Sequence, residues 1–314
     1  MVSKIFQPIE CRDLSVEVIG GIEWLRWQYR TPEGFLLTGL RTVPRGLPVL
    51  HFIHGNSYSG LTYLPLWQEL ANDYDIFLHD AQGHGDSEHG GRFVGWQRSS
   101  ELAETVWRQF RPEYESVLKI GVGHSFGGIL TSLYGARDSQ AFDRILLLDP
   151  ILFPRHLLRW ATSLRLTGLY RFNPYARKAK KRRAEWVNAD AAFASLQNRG
   201  MFRGWTDEAL RAYVEHAMTA NQQGLWQLKC APEREAEIFS SYATNLWQEL
   251  PALEVPTQIL VGDSTYPFVH QALEQWQQFA PHLPITQTQG GHCFMQERPA
   301  DVANQVRSLL ELKL

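Results

Sequence analysis

Residues 117–128 read Val-Leu-Lys-Ile-Gly-Val-Gly-His-Ser-Phe-Gly-Gly and place Ser125 between two glycines, directly after an apolar run. This G-x-S-x-G pattern, with a strand before it and an apolar helical run (129–134) after it, is typical of a nucleophile elbow. A sharp strand-to-helix turn exposes the serine hydroxyl, and glycine is needed at 123 and 127 because a Cβ there would collide with neighbouring elements. The sequence therefore predicts that Ser125 is a nucleophile.

Composition and charge narrow the class of protein. The chain has 314 residues, a formal net charge of −2 and 44% hydrophobic residues, which favours a globular protein over a nucleic-acid binder or a disordered chain. Its three cysteines, Cys11, Cys230 and Cys293, are odd in number and scattered, which argues against a disulfide framework or a zinc site. No stretch approaches the roughly 20 apolar residues that cross a bilayer, and residues 1–8 lack the apolar core of a signal peptide. We therefore expect a cytoplasmic protein with no nucleic-acid partner.

Short β-type runs alternate with helical runs along most of the chain. This alternation predicts an α/β fold in which a doubly wound, mostly parallel sheet carries helices on both faces. Two glycine-containing segments, 20–21 and 31–34, are typical of hairpin turns between the first strands. The runs interpreted as strands are 14–19, 22–29, 35–42, 49–53, 75–79, 117–122, 144–148, 258–261 and 285–288.

The alternation stops after Leu148 for about a hundred residues, a stretch too long for a plain loop and without a strand signal. Its pattern is helical instead: Thr206 is a typical N-cap, and the apolar residues that follow it recur at helical spacing. We therefore predict that residues 1–150 and 251–314 form the core domain and that residues 151–250 form an inserted helical cap.

Two features of the predicted cap allow two interpretations each. Ten basic residues lie within 155–183 with no acidic residue among them, which fits a solvated helix face or a surface for an anionic substrate or anionic lipid. Five tryptophans would either pack the cap helices or line an apolar pocket for an acyl or aromatic group. They are Trp160, Trp186, Trp205, Trp226 and Trp247.

A serine nucleophile needs a base that takes up a proton near neutral pH, and histidine is the side chain suited to that task. His292 lies on a glycine-containing loop between the last predicted strand and the last predicted helix, where a side chain can reach the ends of parallel strands. His124 is adjacent to Ser125, but the strand direction turns its side chain away, so we expect it to pack structurally. The sequence therefore predicts His292 as the general base.

The tetrahedral intermediate of such a reaction needs two backbone N–H donors. One comes from the residue after the nucleophile and the other from the loop after the first buried parallel strand. Phe126 and Asn56 occupy these positions, and because the backbone donates, their side-chain identities carry little information.

These motifs together resemble the α/β-hydrolase superfamily, and specifically its cap-bearing members. The resemblance covers nearly the whole chain and implies a mostly parallel, eight-stranded sheet with an inserted helical cap, in which nucleophile, acid and histidine follow in that order. The motifs that carry it are His54-Gly55, the stretch 80–87, the elbow, Leu148-Asp149-Pro150, Val261-Gly262-Asp263, Gly291-His292 and Glu297-Arg298-Pro299.

The acid departs from the pattern of that family. In that family the carboxylate usually lies three residues after the glycine that ends the seventh strand. Here the residue at that position is Thr265, which cannot balance the charge of an imidazolium. Asp149, at the end of the sixth predicted strand, and Asp263, directly after Gly262, are the two candidates to replace it. We favour Asp149, and the sequence alone leaves both open.

The leading hypothesis is a serine hydrolase that cleaves an ester, thioester, lactone or amide of a small, partly apolar acyl substrate. Family members that open epoxides or displace halide carry aspartate at the elbow, so Ser125 indicates an acyl-enzyme instead. The same residues could run a C–C bond hydrolysis or an elimination, and a non-catalytic ligand- or membrane-binding protein on this scaffold is the hypothesis from another class. No metal or organic cofactor is expected, because metal-ligand spacing and a glycine-rich phosphate loop are missing from the sequence.

Overall fold

The computed structural model describes residues 12–159 and 173–310. Two sheets are present in this part of the chain, and the larger one organises the fold. The strands are β1 (Arg12–Ile19), β2 (Ile22–Arg30), β3 (Leu36–Thr42), β4 (Val49–Ile53), β5 (Asp75–Asp80), β6 (Lys119–His124), β7 (Arg144–Leu148), β8 (Glu185–Trp186), β9 (Met218–Ala220), β10 (Trp226–Leu228), β11 (Thr257–Gly262) and β12 (Ile285–Thr288).

The large sheet has the strand order β1-β2-β3-β5-β4-β6-β7-β11-β12. From β5 to β12 the neighbouring strands pair in parallel, while β1, β2 and β3 pair antiparallel. The expected count of eight strands is therefore wrong by one, because the β1–β2 hairpin adds a further strand at the edge. Gly20 and Gly21 both have positive φ values, 60° and 80°, as a two-residue hairpin turn of this type requires.

Helices cover both faces of the large sheet. Successive residues of a strand point to opposite faces, and in β4 the pair Leu50 and Phe52 enters one hydrophobic cluster whereas Val49 and Ile53 enter the other. The helices with both ends described are α1 (Leu64–Leu70), α2 (Trp96–Phe110), α3 (Phe126–Arg137), α4 (Pro174–Lys180), α5 (Ala189–Leu196), α6 (Asp207–His216), α7 (Pro232–Phe239), α8 (Leu246–Glu249), α9 (Pro267–Phe279), α10 (Phe294–Glu297) and α11 (Pro299–Leu310).

The segment between β7 and β11 contains helices α4 to α8 and the small sheet, in the order β8-β10-β9. The expectation that this segment has no strands is wrong. The sequence did not indicate these strands because they are only two or three residues long, too short to show an alternating pattern. The predicted helix after Thr206 is α6, and the Thr206 hydroxyl accepts a hydrogen bond from the N–H of Ala209 (3.1 Å). Helix α6 packs on the 3₁₀ turn Gly60–Tyr63 near the carboxyl end of β4. The domain boundaries at 150 and 251, and the role of this segment as a cap, stay predictions.

Gly39 of β3 lies where a neighbouring strand and an aromatic side chain pack closely against the backbone. A Cβ at this position would lie 2.0 Å from the carbonyl oxygen of Leu78 and 2.4 Å from the ring of Trp27. Because overpacking of a filled core is destabilising, we expect Gly39→Ala to lower the free energy of unfolding by about 1–3 kcal/mol in urea titrations. Gly21→Asn is the control, since this turn residue has open space around it and asparagine tolerates positive φ. Equal stability of Gly39→Ala and the wild type would contradict the packing described here.

Candidate active site

Ser125 lies at the carboxyl end of the central strand β6 and is the N-cap residue of α3. Its φ of 54° and ψ of −115° turn the chain sharply from strand to helix, as the sequence predicts for an elbow. The two glycines are required by close approaches: a Cβ at Gly123 would lie 2.4 Å from the carbonyl oxygen of Gly127, and a Cβ at Gly127 would lie 2.0 Å from that of Ile53. Larger residues would therefore push the elbow away from β4.

His292 makes a hydrogen bond at each of its ring nitrogens. Its Nε2 lies 2.8 Å from Oγ of Ser125, and its Nδ1 lies 2.8 Å from Oδ1 of Asp149. A carboxylate can only accept, so Nδ1 carries the proton of the neutral ring and Nε2 presents its lone pair to the serine hydroxyl. The structure thus joins three of the predicted site residues in one continuous line.

Asp149 follows β7 directly and is fully buried. Besides His292, its carboxylate accepts hydrogen bonds from the N–H of Gly262 (2.8 Å) and from the hydroxyl of Thr265 (2.6 Å). A buried carboxylate requires such partners, because an unpaired charge away from water is strongly unfavourable. Thr265, which the sequence singled out only as a missing acid, is in fact a donor to the acid, and nothing in its local sequence signals that contact.

Asp263, the other candidate acid, is exposed and points elsewhere. Its Oδ1 accepts hydrogen bonds from the hydroxyl of Ser264 (2.9 Å) and from the N–H of Gly290 (3.1 Å). The amide of Gly290 is the main reason that the pKa of Asp263 is lowered. The geometry therefore gives the contact with His292 to Asp149 and leaves Asp263 as a residue that stabilises a loop.

The two backbone donors expected for an oxyanion lie on neighbouring segments. The N–H of Gly127 donates to the carbonyl of His54 (3.1 Å), which joins the first turn of α3 to the 54–56 loop. Within the described residues no protein acceptor takes the N–H of Phe126 or that of Asn56; the first N–H groups of a helix have no partner inside it. The role of these two N–H groups as oxyanion donors stays a prediction.

Contacts of Arg182 and Glu235 with Asn56 and Ser57 hold the loop after β4, and the sequence did not reveal them. The guanidinium of Arg182 donates to Glu235 (2.6 Å), to Tyr213 (3.2 Å) and to Oγ of Ser57 (3.4 Å). The carbonyl of Glu235 in turn accepts from the side-chain amide of Asn56 (3.3 Å). These contacts connect the segment between β7 and β11 to the proposed oxyanion loop.

The basic stretch 155–183 is only partly a solvated surface. Trp160, Arg165 and Arg171 lie within residues 160–172, which are outside the described part of the chain. Arg182 is only partly exposed and its guanidinium is paired with Glu235 (2.6 Å), so the solvated-face interpretation does not describe that residue. Contact with an anionic substrate or lipid stays a prediction for the exposed residues of this stretch, which are Arg155, Arg159, Arg177, Lys178, Lys180, Lys181 and Arg183.

The other four tryptophans of this region pack against neighbouring protein. Trp186 and Trp205 belong to one hydrophobic cluster and Trp247 to the other, and all three are buried. Trp226 is half-buried, and its indole N–H donates to the carbonyl of Val214 (3.0 Å). Core packing is therefore the observed role of the three buried rings.

Residues 12–159 and 173–310 contain neither a candidate membrane span nor a candidate metal site. Among them, no helix has both the length and the apolar character to cross a bilayer. In the same residues, no three side chains of His, Cys, Asp or Glu are grouped in a way that could hold a metal ion.

Comparison with known proteins adds the family context. The profile of the alpha/beta hydrolase family matches residues 52–305. A curated relative, the uncharacterized protein YqjL of Bacillus subtilis (strain 168), is 29% identical over 137 residues, which cover 41% of this chain and 49% of that protein. The chain spans about half the length of the curated relatives it matches.

Solved structures share the fold over most of the chain. The crystal structure of E-2-(acetamidomethylene)succinate hydrolase superposes with a TM-score of 0.69 at 18% identity, covering 91% of this chain and 99% of that one. A novel esterase from Mycobacterium tuberculosis gives a TM-score of 0.65 at 20% identity, covering 96% and 93%. At such low identities these matches establish a common fold.

The backbone of Ser125 allows a prediction that is independent of any reaction. Its φ and ψ values belong to a region in which an L-residue has a conformational strain of about 1–3 kcal/mol. Glycine adopts this region with less strain because it has no Cβ. We expect Ser125→Gly to be about 1 kcal/mol more stable than Ser125→Ala in urea unfolding followed by circular dichroism, although both variants lack the hydroxyl. Identical midpoints for the two variants would show that Ser125 is not strained.

Proposed function

Since the chain belongs to the alpha/beta hydrolase family, we propose that it is a serine hydrolase that cleaves an ester, thioester, lactone or amide bond through an acyl-enzyme. The observation that carries this proposal is the line from Ser125 through His292 to Asp149, with 2.8 Å at each of its two contacts. A serine within reach of a base, with the base oriented by a third group, is the arrangement that activates a hydroxyl for nucleophilic attack.

In the proposed reaction, Oγ of Ser125 attacks the acyl carbon while Nε2 of His292 takes up the hydroxyl proton. The carbonyl oxygen becomes an oxyanion, which the N–H groups of Phe126 and Asn56 stabilise. His292 then gives the proton to the leaving group as the bond to the acyl carbon breaks. A water molecule then attacks the acyl-enzyme by the same steps, which releases the carboxylic acid product and restores the hydroxyl of Ser125. Asp149 stabilises the imidazolium that forms in both halves of the reaction.

The segment 151–250 is proposed to act as a cap over this site. The contact of Glu235 with Asn56 and that of Arg182 with Ser57 support this role, because they tie the segment to the loop that would bind the oxyanion. Such a cap excludes bulk water and selects the acyl group by its shape. We propose a small, partly apolar acyl compound as the substrate.

A fluorophosphonate probe and a series of short-chain p-nitrophenyl esters test the proposed function. We expect stoichiometric labelling of Ser125 in the wild type, detected by mass spectrometry of the peptide that contains it, together with turnover of at least one ester. Ser125→Ala and His292→Ala should abolish both signals. Labelling without ester turnover would favour C–C bond hydrolysis or elimination instead, and an inert wild-type protein would contradict a hydrolase altogether.

The identity of the acid has its own test. We expect Asp149→Asn to lower kcat by about 10³–10⁴-fold, because the amide favours the wrong tautomer of His292 and cannot balance its positive charge. Asp263→Asn is the matched control and should leave kcat close to the wild-type value, since its carboxylate faces Ser264 and Gly290. A larger loss in Asp263→Asn than in Asp149→Asn would contradict the assignment of Asp149.

A further inference from the structure

A chain of hydrogen bonds lies next to the candidate site. It contains no side chain to which a step of the proposed reaction is assigned. The N–H of Gly55 lies 3.1 Å from the hydroxyl of Tyr63, that hydroxyl lies 2.6 Å from Nδ1 of His124, and Nε2 of His124 lies 2.9 Å from the carbonyl oxygen of His292. Both Tyr63 and His124 are almost completely buried. The chain thus links the oxyanion loop to the backbone of the proposed base.

Each proton in this chain has one possible position. Burial lowers the pKa of His124 well below its usual range, so the ring is neutral and carries one proton. The carbonyl of His292 can only accept, so that proton is on Nε2 and the lone pair is on Nδ1. The hydroxyl of Tyr63 must then donate to Nδ1, and its oxygen accepts from the N–H of Gly55. Every polar group of the chain is satisfied in this single direction.

The contacts around the chain are tight. The rings of His124 and His292 have centroids 4.9 Å apart. The ring of His124 therefore contacts both the ring and the backbone carbonyl of His292. A Cβ at Gly55 would lie only 2.8 Å from Nδ1 of His124, which makes glycine necessary where the oxyanion loop passes the imidazole. Large displacements of either loop would therefore break one of these contacts.

His292 needs such support because the loop before it contains two adjacent glycines. Gly290 has a φ of 129°, and glycine has more backbone freedom than any other residue. One anchor of this loop is the carboxylate of Glu297, which accepts from the N–H of Gly291 (3.2 Å). Further anchors are Oδ1 of Asp263, which accepts from the N–H of Gly290 (3.1 Å), and the bond from His124 to the carbonyl of His292 itself (2.9 Å).

We propose that Tyr63 and His124 are positioning residues that hold the base His292 and the oxyanion loop in a fixed relation to Ser125. The inference rests on the proposed hydrolase function, in which the imidazole must remain 2.8 Å from both Ser125 and Asp149. Misplacement of a reacting group by about 1 Å can lower a rate by about 10²-fold. His124 precedes Ser125 in the chain, so one buried ring couples the nucleophile, the base and the oxyanion loop.

Three variants test the proposal. Tyr63→Phe removes only the oxygen atom, His124→Leu removes both ring nitrogens, and His124→Gln keeps an N–H that can reach the carbonyl of His292. We expect Tyr63→Phe and His124→Leu to lower kcat, and the rate of Ser125 phosphonylation by a fluorophosphonate, by about 10–100-fold. KM for the best p-nitrophenyl ester should stay within about twofold of the wild type, because both side chains are buried and a loss of positioning acts on kcat. His124→Gln should regain a large part of the rate that His124→Leu loses.

Matched controls make the same substitutions at core residues of the same type. Within the described residues, the hydroxyl of Tyr134 and both ring nitrogens of His51 have no hydrogen-bond partner. Tyr134→Phe and His51→Leu should therefore keep the wild-type kcat and phosphonylation rate. Thermal unfolding of all five variants shows that each rate is measured on folded protein. If His124→Leu does not fold, Tyr63→Phe and His124→Gln decide the question.

The outcomes separate this inference from the proposed function. If the wild type reacts at Ser125 while Tyr63→Phe and His124→Leu match the control variants, the positioning role is overturned and the hydrolase function stands. A rise in KM with unchanged kcat and phosphonylation rate also overturns it, since that result indicates an effect on substrate binding alone. If wild-type Ser125 does not react at all, the proposed function fails and this inference fails with it.

Discussion

The hydrogen bond between His292 and the buried carboxylate of Asp149 is the interaction on which the arrangement of the site depends. It connects the end of β7 to the loop after β12, and β11 lies between these two strands in the sheet. The N–H of Asp149 donates to the carbonyl of Leu260 in β11 (2.8 Å), and the carboxylate accepts from Gly262 and Thr265 at the end of the same strand. A buried charge is stable only with such partners, so the register of three strands and the position of the imidazole are set together.

Ser125 and Asp149 share another constraint, which is an unusual backbone conformation. Ser125 and Asp149 have φ values of 54° and 44°, and neither is a glycine. Such conformations persist where the surrounding structure enforces them. Here the N–H of Ser125 donates to the carbonyl of Leu148 (3.1 Å), while its own carbonyl accepts from the N–H groups of Ile129 and Ile151. The turns after β6 and β7 therefore stabilise each other.

The position of Asp149, the proposed acid, shows how a parallel sheet allows one chemical group to come from either of two neighbouring strands. In the related pattern the carboxylate follows the strand that corresponds to β11, where this chain has Thr265. Neighbouring strands are only about 4.8 Å apart, so the end of β7 supplies a carboxylate to nearly the same point in space. Thr265 keeps a function there, because its hydroxyl donates to Asp149.

Local pattern was sufficient to predict most of the fold. Alternating apolar runs, the glycines of the elbow and the N-cap Thr206 each act within a few residues, so the strands of the large sheet, the strand-to-helix turn and helix α6 followed from them. The small sheet was missed because strands of two or three residues leave no period to detect. The eight-stranded count was wrong because it came from the family resemblance and not from the nine runs themselves.

The candidate site was also predicted only in part from the sequence. The sequence by itself determined that Ser125, Asn56 and His292 follow strands that end at one edge of a parallel sheet, because that depends on chain order alone. It left Asp149 and Asp263 open, and it did not indicate the roles of Thr265, Tyr63 or Arg182. Only the tertiary structure showed these contacts, because each residue takes part in at least one hydrogen bond that spans more than fifty positions. These bonds are His292–Asp149, Thr265–Asp149, Tyr63–His124 and Arg182–Glu235, and they exist only once the chain has folded.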